Sequence, residues 1–454
     1  MSFISSKIGV LQLCPTSDKI KNLEVATTLI KEAASQEAKI IFLPEAFDYI
    51  GDSRAQTLEL SENLGQTTIS TMSELARNLG VWLSLGGMHR KVTEEIPKKL
   101  LNSHIIINSD GKVAAIYDKV HLFDIQIESD IEGSSLSLKE SIYVSAGKDA
   151  PVVAMSTPIG NIGLGICYDL RFPELASALR YSGNADVLTY PSAFTVPTGE
   201  AGHWHTLLKA RAIETQTYVV AAALEGKSNS KRSFYGHSLV VDPWGQIIAE
   251  KTDPGPGLLI CNINGSENGV IGPGMSIAKA RSSIPVSSNR RSDLFPMPDN
   301  GKPVKIENRS FIFGPIEIPA NHVFLRSNLS YAFVNLSPLV PGHVLVSPVR
   351  LVERFEQMTL GEVTDLYALV RTIVPRLAKY FNASSMTIAI QDGKEAGQSV
   401  PHVHMHVLPR KFGDFPENDD IYKELNKHDK IPDRVKRDPQ VMAEEASNLR
   451  TIFY

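Results

Sequence analysis

The sequence predicts two domains of different class: an α/β domain with a mixed sheet covered by helices, then a smaller α+β domain. Three observations carry this. Short apolar runs alternate with segments of helical periodicity from residue 7 to about 263, the pattern of strands and covering helices in one sheet system. The texture changes between about 265 and 309, where Gly, Ser, Asn and Pro accumulate around Arg290-Arg291 and Pro296-Met297-Pro298-Asp299-Asn300-Gly301. A new pattern of three strands, one long helix and two strands then follows. The boundaries read from this are 1–285, a linker over 286–308, and 309–454.

In order, Lys7 to Leu13 alternates as a strand. Asp18 can cap a helix whose apolar positions are Ile20, Leu23, Leu29, Ile30 and Ala33. The apolar strand from Ile40 ends at Glu45. A helix near 66–79 precedes a strand at 81–87, and 103–120 reads as a hairpin turning at Ser109-Asp110-Gly111. The stretch from Phe123 to Ser141 reads as loop. A strand over 160–167, a helix from Pro173, a strand over 185–191, a helix near 202–215 and a strand over 217–224 come next. A hairpin turning at Asp242-Pro243-Trp244-Gly245 and a last strand over 257–263 close the first domain. The second has strands over 322–326, 330–335 and 342–347. Thr359-Leu360-Gly361-Glu362 is a capping box opening a helix to about Phe381, with Pro375 an awkward interior residue. Strands over 385–391 and 400–408 and a charged, loop-rich tail complete the chain.

Composition excludes several classes. The chain has 454 residues, too many for one ordinary domain. A formal net charge of −4 leaves no electrostatic footprint for a nucleic-acid polymer. Three cysteines in so long a chain argue against a disulfide framework and for a reducing compartment. No apolar run approaches the ~18 residues of a membrane span. The first residues lack a secretory h-region or an Arg-rich amphipathic pattern, so the expected location is cytoplasmic.

Chemistry concentrates in two places. Cys167 ends a glycine-spaced apolar strand just before Pro173-Glu174 opens a helix, a position where nearby backbone N–H groups would favour thiolate. The same residue could equally be a structural core cysteine. Glu45 and Lys119 each end other apolar runs. A carboxylate, an ammonium and a thiol at strand ends form a coherent set for acyl transfer. In the second domain, His402, His404 and His406 alternate with Val403 and Met405. On a strand they would share one face, roughly 6–7 Å apart in succession. Taken alone they read as a zinc site, a hydrated histidine face or a phosphate site, and the Gly and Ser of 397–399 can present donors to phosphate.

Leu43-Pro44-Glu45-Ala46, Asp118-Lys119-Val120-His121-Leu122-Phe123 and Gly165-Ile166-Cys167-Tyr168-Asp169 together resemble the nitrilase, or carbon–nitrogen hydrolase, superfamily over residues 5 to 285. That resemblance implies an αββα sandwich and an amidase using Glu45, Lys119 and Cys167, with Glu140 in support and no cofactor. Its implied substrate is a small-molecule amide, deaminated glutathione or a related ω-amide. From Phe311 onward, Phe333-Val334-Asn335, Val340-Pro341-Gly342-His343, the histidine run and His406-Val407-Leu408-Pro409-Arg410 resemble the histidine triad (HIT) hydrolases, more narrowly the Fhit-type dinucleoside polyphosphate hydrolases. That resemblance implies His404 as nucleophile, with Asn335, Gln391, Gly397, Gln398, Ser399, Val400, His402 and His406 binding a diadenosine polyphosphate. It also implies a divalent cation, Mg2+ or Mn2+, arriving with the substrate, and no metal held by the protein alone. The two resemblances in one chain imply a fusion that assembles as a homotetramer. A different class, a signalling scaffold whose HIT domain senses dinucleotide without needing turnover, is the alternative.

Overall fold

A computed structural model describes residues 6–91, 99–128, 135–263, 275–291, 301–427 and 436–453, and for 126–128 and 135–138 only the backbone. It divides into two compact units, Met1–Asn289 and Arg290–Tyr454.

The first unit is built on two six-stranded sheets. The first contains β1 (Ser6–Gln12), β2 (Ile40–Leu43), β3 (Trp82–Lys91), β4 (Leu100–Ile107) and β5 (Val113–Asp118). The second contains β6 (Val153–Thr157), β7 (Gly160–Leu164), β8 (Val187–Thr189), β9 (Tyr218–Ala221), β10 (Leu239–Val241) and β11 (Ile247–Glu250). β12 (Gly257–Ile263) returns to the first sheet and pairs antiparallel with β1. The sheet orders are β12-β1-β2-β3-β4-β5 and β11-β10-β9-β8-β7-β6.

Side-chain alternation on β2 makes the layers. Ile40 and Phe42 join a core with Ile162, Leu164 and Leu188 of the second sheet. Ile41 and Leu43 point the other way, into a core with Ala26, Ile30 and Ala33 of α1 (Lys19–Ser35) and Met72 and Ala76 of α2 (Thr67–Leu79). Trp204, Leu208 and Ala212 of α3 (His203–Thr215) cover the second sheet. The result is the expected αββα sandwich, and a period of two along four apolar residues is what glues one strand into two cores.

In the second unit a five-stranded antiparallel sheet is formed by β13 (Val323–Arg326), β14 (Ser330–Val334), β15 (Val344–Pro348), β16 (Ser385–Ile390) and β17 (Met405–Arg410), in the order β13-β14-β15-β17-β16. One face packs on α4 (Leu360–Tyr380) and α5 (Pro439–Arg450). The opposite face carries a core of Phe311, Phe313, Tyr331, Phe333 and Leu345. The capping box closes as predicted, Glu362 N–H donating to Thr359 Oγ1 at 3.2 Å and Thr359 N–H to Glu362 Oε2 at 2.9 Å. α4 runs unbroken past Pro375.

Several expectations are corrected. Asp18 caps α1, but Ile20 is 74% exposed, because the buried stripe runs through Asn22, Ala26, Ile30 and Ala33. The stretch read as loop holds a two-stranded hairpin, Asp124–Glu128 with Ser135–Lys139, and a helix over Arg54–Leu60 had no sequence counterpart. The tail read as loop-rich forms a helix over Asp420–Lys427 and α5, whose Met442, Ala446 and Leu449 complete the core. β17 begins only at Met405, so His402 and His404 precede the strand rather than standing on it. Part of the linker is tied down: Val286–Asn289 is helical in the first unit, and Gly301 N–H donates to Asp365 Oδ1 at 2.8 Å in the second. Residues 264–274 and 292–300 lie outside the described residues. Among the described residues, no helix is long and apolar enough to cross a membrane.

Candidate active sites

Glu45, Lys119 and Cys167 come together at the carboxyl ends of β2, β5 and β7, in a cavity of about 540 Å³. Lys119 Nζ lies 3.0 Å from Glu45 Oε1 and 3.0 Å from Glu140 Oε2. All three charged groups are nearly removed from solvent. Burial alone would favour a neutral amine on Lys119. The two carboxylates outweigh it and hold its pKa well above the ordinary lysine value. Burial likewise pushes the Glu140 carboxyl up, but Lys119, the Phe123 N–H at 2.8 Å and Asn102 outweigh that and leave it below the usual range.

Asn102 was not singled out in the sequence, yet its Nδ2 donates to Glu45 Oε1 at 2.9 Å and to Glu140 Oε1 at 3.1 Å. It fixes the spacing of two carboxylates that would otherwise repel. The remaining oxygen of Glu45 accepts the Ala193 N–H at 2.9 Å. A bulge in β3 between Leu85 and Met88 lets the backbone pass close to this glutamate. At Gly87, where φ is +46°, a Cβ would stand 2.6 Å from Glu45 Cγ, so only glycine fits.

Cys167 begins a 3-10 turn, Cys167–Arg171, with φ of +44°. A left-handed conformation is costly for a residue bearing a Cβ, and such outliers gather at functional sites. Two contacts impose it. The Cys167 N–H donates to Pro191 O at 2.9 Å, and the Asp169 side chain reaches back to accept the Ile166 N–H at 2.9 Å. Asp169 is itself fully buried, and it accepts from Tyr117 Oη at 2.8 Å and pairs with His121 Nδ1 at 2.7 Å. His104 supports the same strand. Its Nδ1 contacts Gly165 O at 3.1 Å and its Nε2 contacts Ser84 Oγ at 2.7 Å. The carbonyl can only accept, so Nδ1 carries the proton.

The expectation of a lowered thiol pKa is overturned. Burial, then the Glu45 carboxylate, push the Cys167 thiol far above the ordinary value, and Lys119 does not compensate. The helix opened by Pro173 begins six residues on, too remote to compete. At rest the sulfur holds its proton, within hydrogen-bonding reach of Glu45. An acceptor beside a protonated nucleophile, and a cation beside both, can deprotonate the sulfur as it attacks and stabilise an oxyanion.

In the second unit His402, His404 and His406 are all buried, which rules out a hydrated histidine face. Their nitrogens point to different partners. His402 accepts the Gly314 N–H at 3.3 Å through Nδ1 and contacts Arg350 O at 3.1 Å through Nε2. Burial lowers its pKa to about 4, so the ring is neutral. His404 Nδ1 donates to the His402 carbonyl at 2.7 Å, which places the lone pair on Nε2. His343, quoted in the sequence motif but given no role there, accepts the Leu339 N–H on Nδ1 at 3.2 Å, and its Nε2 lies 3.0 Å from His406 Nδ1. His343 and His406 share one proton across this contact. Adjacent imidazoles of this kind can supply a nucleophilic nitrogen and N–H donors for phosphate.

Asn335 joins this group, its Nδ2 lying 3.3 Å from His343 Nε2. Gln391 follows β16 on the strand beside β17, but its Nε2 donates to Ala396 O at 3.1 Å and Asn426 Oδ1 at 3.2 Å. Gln398 accepts the Gly393 N–H at 2.7 Å and donates to Glu353 O at 2.8 Å, Gly397 takes φ of +96°, Ser399 is exposed, and Val400 packs on the Phe311 and Phe313 core. These four build the loop before the histidines.

Residues 7–270 match the family model for carbon-nitrogen hydrolase, and residues 317–413 match the HIT domain. The nitrilase and fragile histidine triad fusion protein NitFhit of Caenorhabditis elegans is 43% identical over 449 residues, covering 98% of this chain and 96% of that one. The chain belongs to the nitrilase–fragile histidine triad fusion family. The crystal structure of the Caenorhabditis elegans NitFhit protein matches with a TM-score of 0.70 and 39% identity, covering 100% of both chains. The first unit alone is 44% identical over 289 residues to deaminated glutathione amidase of Homo sapiens, covering 63% of this chain and 83% of the relative. As a member of the fusion family, the chain is a hydrolase that joins an amidase-like unit to a HIT domain.

The buried histidines of this fusion's first unit make its stability sensitive to acid. Burial lowers the pKa of His89 and of His104 to about 4, from an unfolded value near 6.5. The unfolded chain binds more protons between these values, so stability is full above pH ~6.5 and falls as pH drops toward ~4. Each histidine contributes roughly 1.4 kcal/mol per pH unit in that window. Thermal unfolding at stepped pH should show the midpoint falling below ~6.5. His104→Asn should lower stability at neutral pH and flatten the acid slope; an unchanged slope would contradict the assignment.

Proposed function

We propose that the first unit hydrolyses a small anionic amide through a thioester on Cys167. The observation that carries this is Lys119 between two carboxylates, with the Cys167 thiol at the same buried point. Glu45 takes the thiol proton as sulfur attacks the amide carbon. Lys119, with a backbone N–H beside Cys167, stabilises the tetrahedral oxyanion. The proton on Glu45 passes to the leaving nitrogen, ammonia departs, and a thioester remains. Glu45 then activates water, which releases the carboxylic acid and returns the thiol. Glu140 holds Lys119 charged throughout.

The cavity also argues for negative charge on the substrate. Arg54, Lys139, Arg171, Lys231 and Arg232 line it, while its two carboxylates are already engaged by Lys119. Deaminated glutathione, the substrate named for the human relative, supplies carboxylates for such a rim, and a smaller dicarboxylate ω-amide is the runner-up. Cys167→Ala should abolish ammonia release from these amides while the fold stays intact. Cys14→Ala and Cys261→Ala should be mild. Full activity in Cys167→Ala would end the assignment.

The second unit is proposed to cleave diadenosine polyphosphates: His404 Nε2 attacks the α-phosphorus, the P–O bond to the bridging oxygen breaks, and the other nucleotide (ADP from diadenosine triphosphate) leaves, giving a nucleotidyl-histidine. Water then releases AMP. His402 and His406 position phosphate, and Asn335, Gln391 and the loop 397–400 contact nucleotide. A divalent cation, Mg2+ or Mn2+, is proposed to enter on the substrate phosphates. His404→Asn should stop diadenosine triphosphate hydrolysis, keep dinucleotide binding and leave ammonia release unchanged. AMP production by this variant would sink the nucleophile assignment, whereas binding without turnover in the unsubstituted chain would favour a binding module.

The assembly is proposed to be a homotetramer. Light scattering that returned a single chain of 49.8 kDa at micromolar concentration would contradict it.

A further inference from the structure

Three ligand-bearing side chains converge at a place that neither hydrolytic site uses. His205 lies in the first turn of α3, His237 in the turn before β10, and Glu250 at the end of the edge strand β11. None of them lines the Cys167 cavity. Their ligand atoms all lie within 4.8 Å of one another. His205 Nε2 is 2.8 Å and His237 Nδ1 2.7 Å from the same oxygen, Glu250 Oε1. Their side chains are 27%, 30% and 22% exposed, sheltered yet open to an entering ion.

The cluster is held rigidly. Trp204 Nε1 donates to the His237 carbonyl at 2.9 Å, and Tyr235 stacks on the His237 ring at 4.5 Å. Lys251 N–H donates to Ser238 O at 2.9 Å, tying the turn to the end of β11. His237 itself takes φ of +58°, a conformation that is costly for a non-glycine residue. That cost is borne at the residue that turns its ring toward Glu250.

We propose that His205, His237 and Glu250 bind one divalent transition-metal ion per chain, with Zn2+ the best match. Two imidazole nitrogens and one carboxylate oxygen are a zinc donor set, with a fourth position left for water. Mg2+ and Ca2+ prefer oxygen donors throughout and suit the cluster poorly. Without metal, both rings hydrogen-bond to one carboxylate oxygen. Metal entry replaces those two hydrogen bonds with three coordinate bonds, and each displaced ring proton moves to the opposite nitrogen of its imidazole or to solvent. The ion would clamp an edge strand, a strained turn and a covering helix together.

The test uses the full chain after chelator treatment, titrated calorimetrically with Zn2+. Wild type should take up one equivalent more than the double variant His205→Ala/His237→Ala. Zn2+ should raise the unfolding midpoint of wild type more than that of the variant. Glu250→Gln keeps an acceptor for both rings and so preserves the fold. It should weaken zinc binding by about 100-fold or more, beyond the ~10–100-fold that loss of an outer-sphere partner costs. Should the double variant misfold by circular dichroism, Glu250→Gln decides alone. Equal zinc uptake by wild type and a folded double variant, or undiminished affinity in Glu250→Gln, would overturn the proposal.

Discussion

The Lys119 ammonium buried between Glu45 and Glu140 is the constraint on which the first unit depends. Taking an ammonium out of water costs several kcal/mol, and one carboxylate would barely offset it. Two carboxylates do, but they introduce a repulsion that a single amide, Asn102, spans. Removing any one partner would strand a buried charge at a cost of roughly 3–5 kcal/mol. The β3 bulge, Gly87 against Glu45 and the Ala193 N–H all follow from seating this cluster between two sheets.

The same cluster sets the resting state of the sulfur. Burial first, and then a carboxylate that outweighs the cation, keep the proton on the thiol, so a reactive thiolate forms as the substrate accepts the attack. This is a different device from a thiolate stabilised at a helix N-terminus. The left-handed Cys167 and the buried Asp169 that organises its turn are the backbone half of that device. In the second unit, tautomers replace charges. A carbonyl accepts the Nδ1 proton of His404, and His343 stands behind His406 at 3.0 Å.

Local signals were legible wherever one residue decides a local outcome. Asp18 and Thr359 cap helices because a side-chain oxygen satisfies an orphan N–H three residues on. Ser109-Asp110-Gly111 turns a hairpin because Gly111 accepts a φ of +75°. Elements without such punctuation were missed. The hairpin 124–139 and the helix 54–60 have weak periodicity, and α5 is stabilised by packing on the sheet rather than by its own pattern. Asn102-Ser103-His104 did interrupt an apolar strand, a usable signal for buried polar residues with a task.

By itself the sequence determined the order of strands and helices, the change of domain class and the residue types able to do acyl or phosphoryl transfer, because alternation, capping and motif spacing are local properties of the chain. Tertiary structure alone decided what those residues are chemically. Residues 45, 102, 119, 140 and 167 meet only when strands of two sheets and the turn at Glu140 are brought together, and a protonation state depends on burial and on charges distant in sequence. The run of histidines shows the same division. Alternate positions suggested one shared face, but the strand starts at Met405, and contacts from Gly314, Arg350 and His343, 52 to 88 residues away in sequence, give the rings different partners.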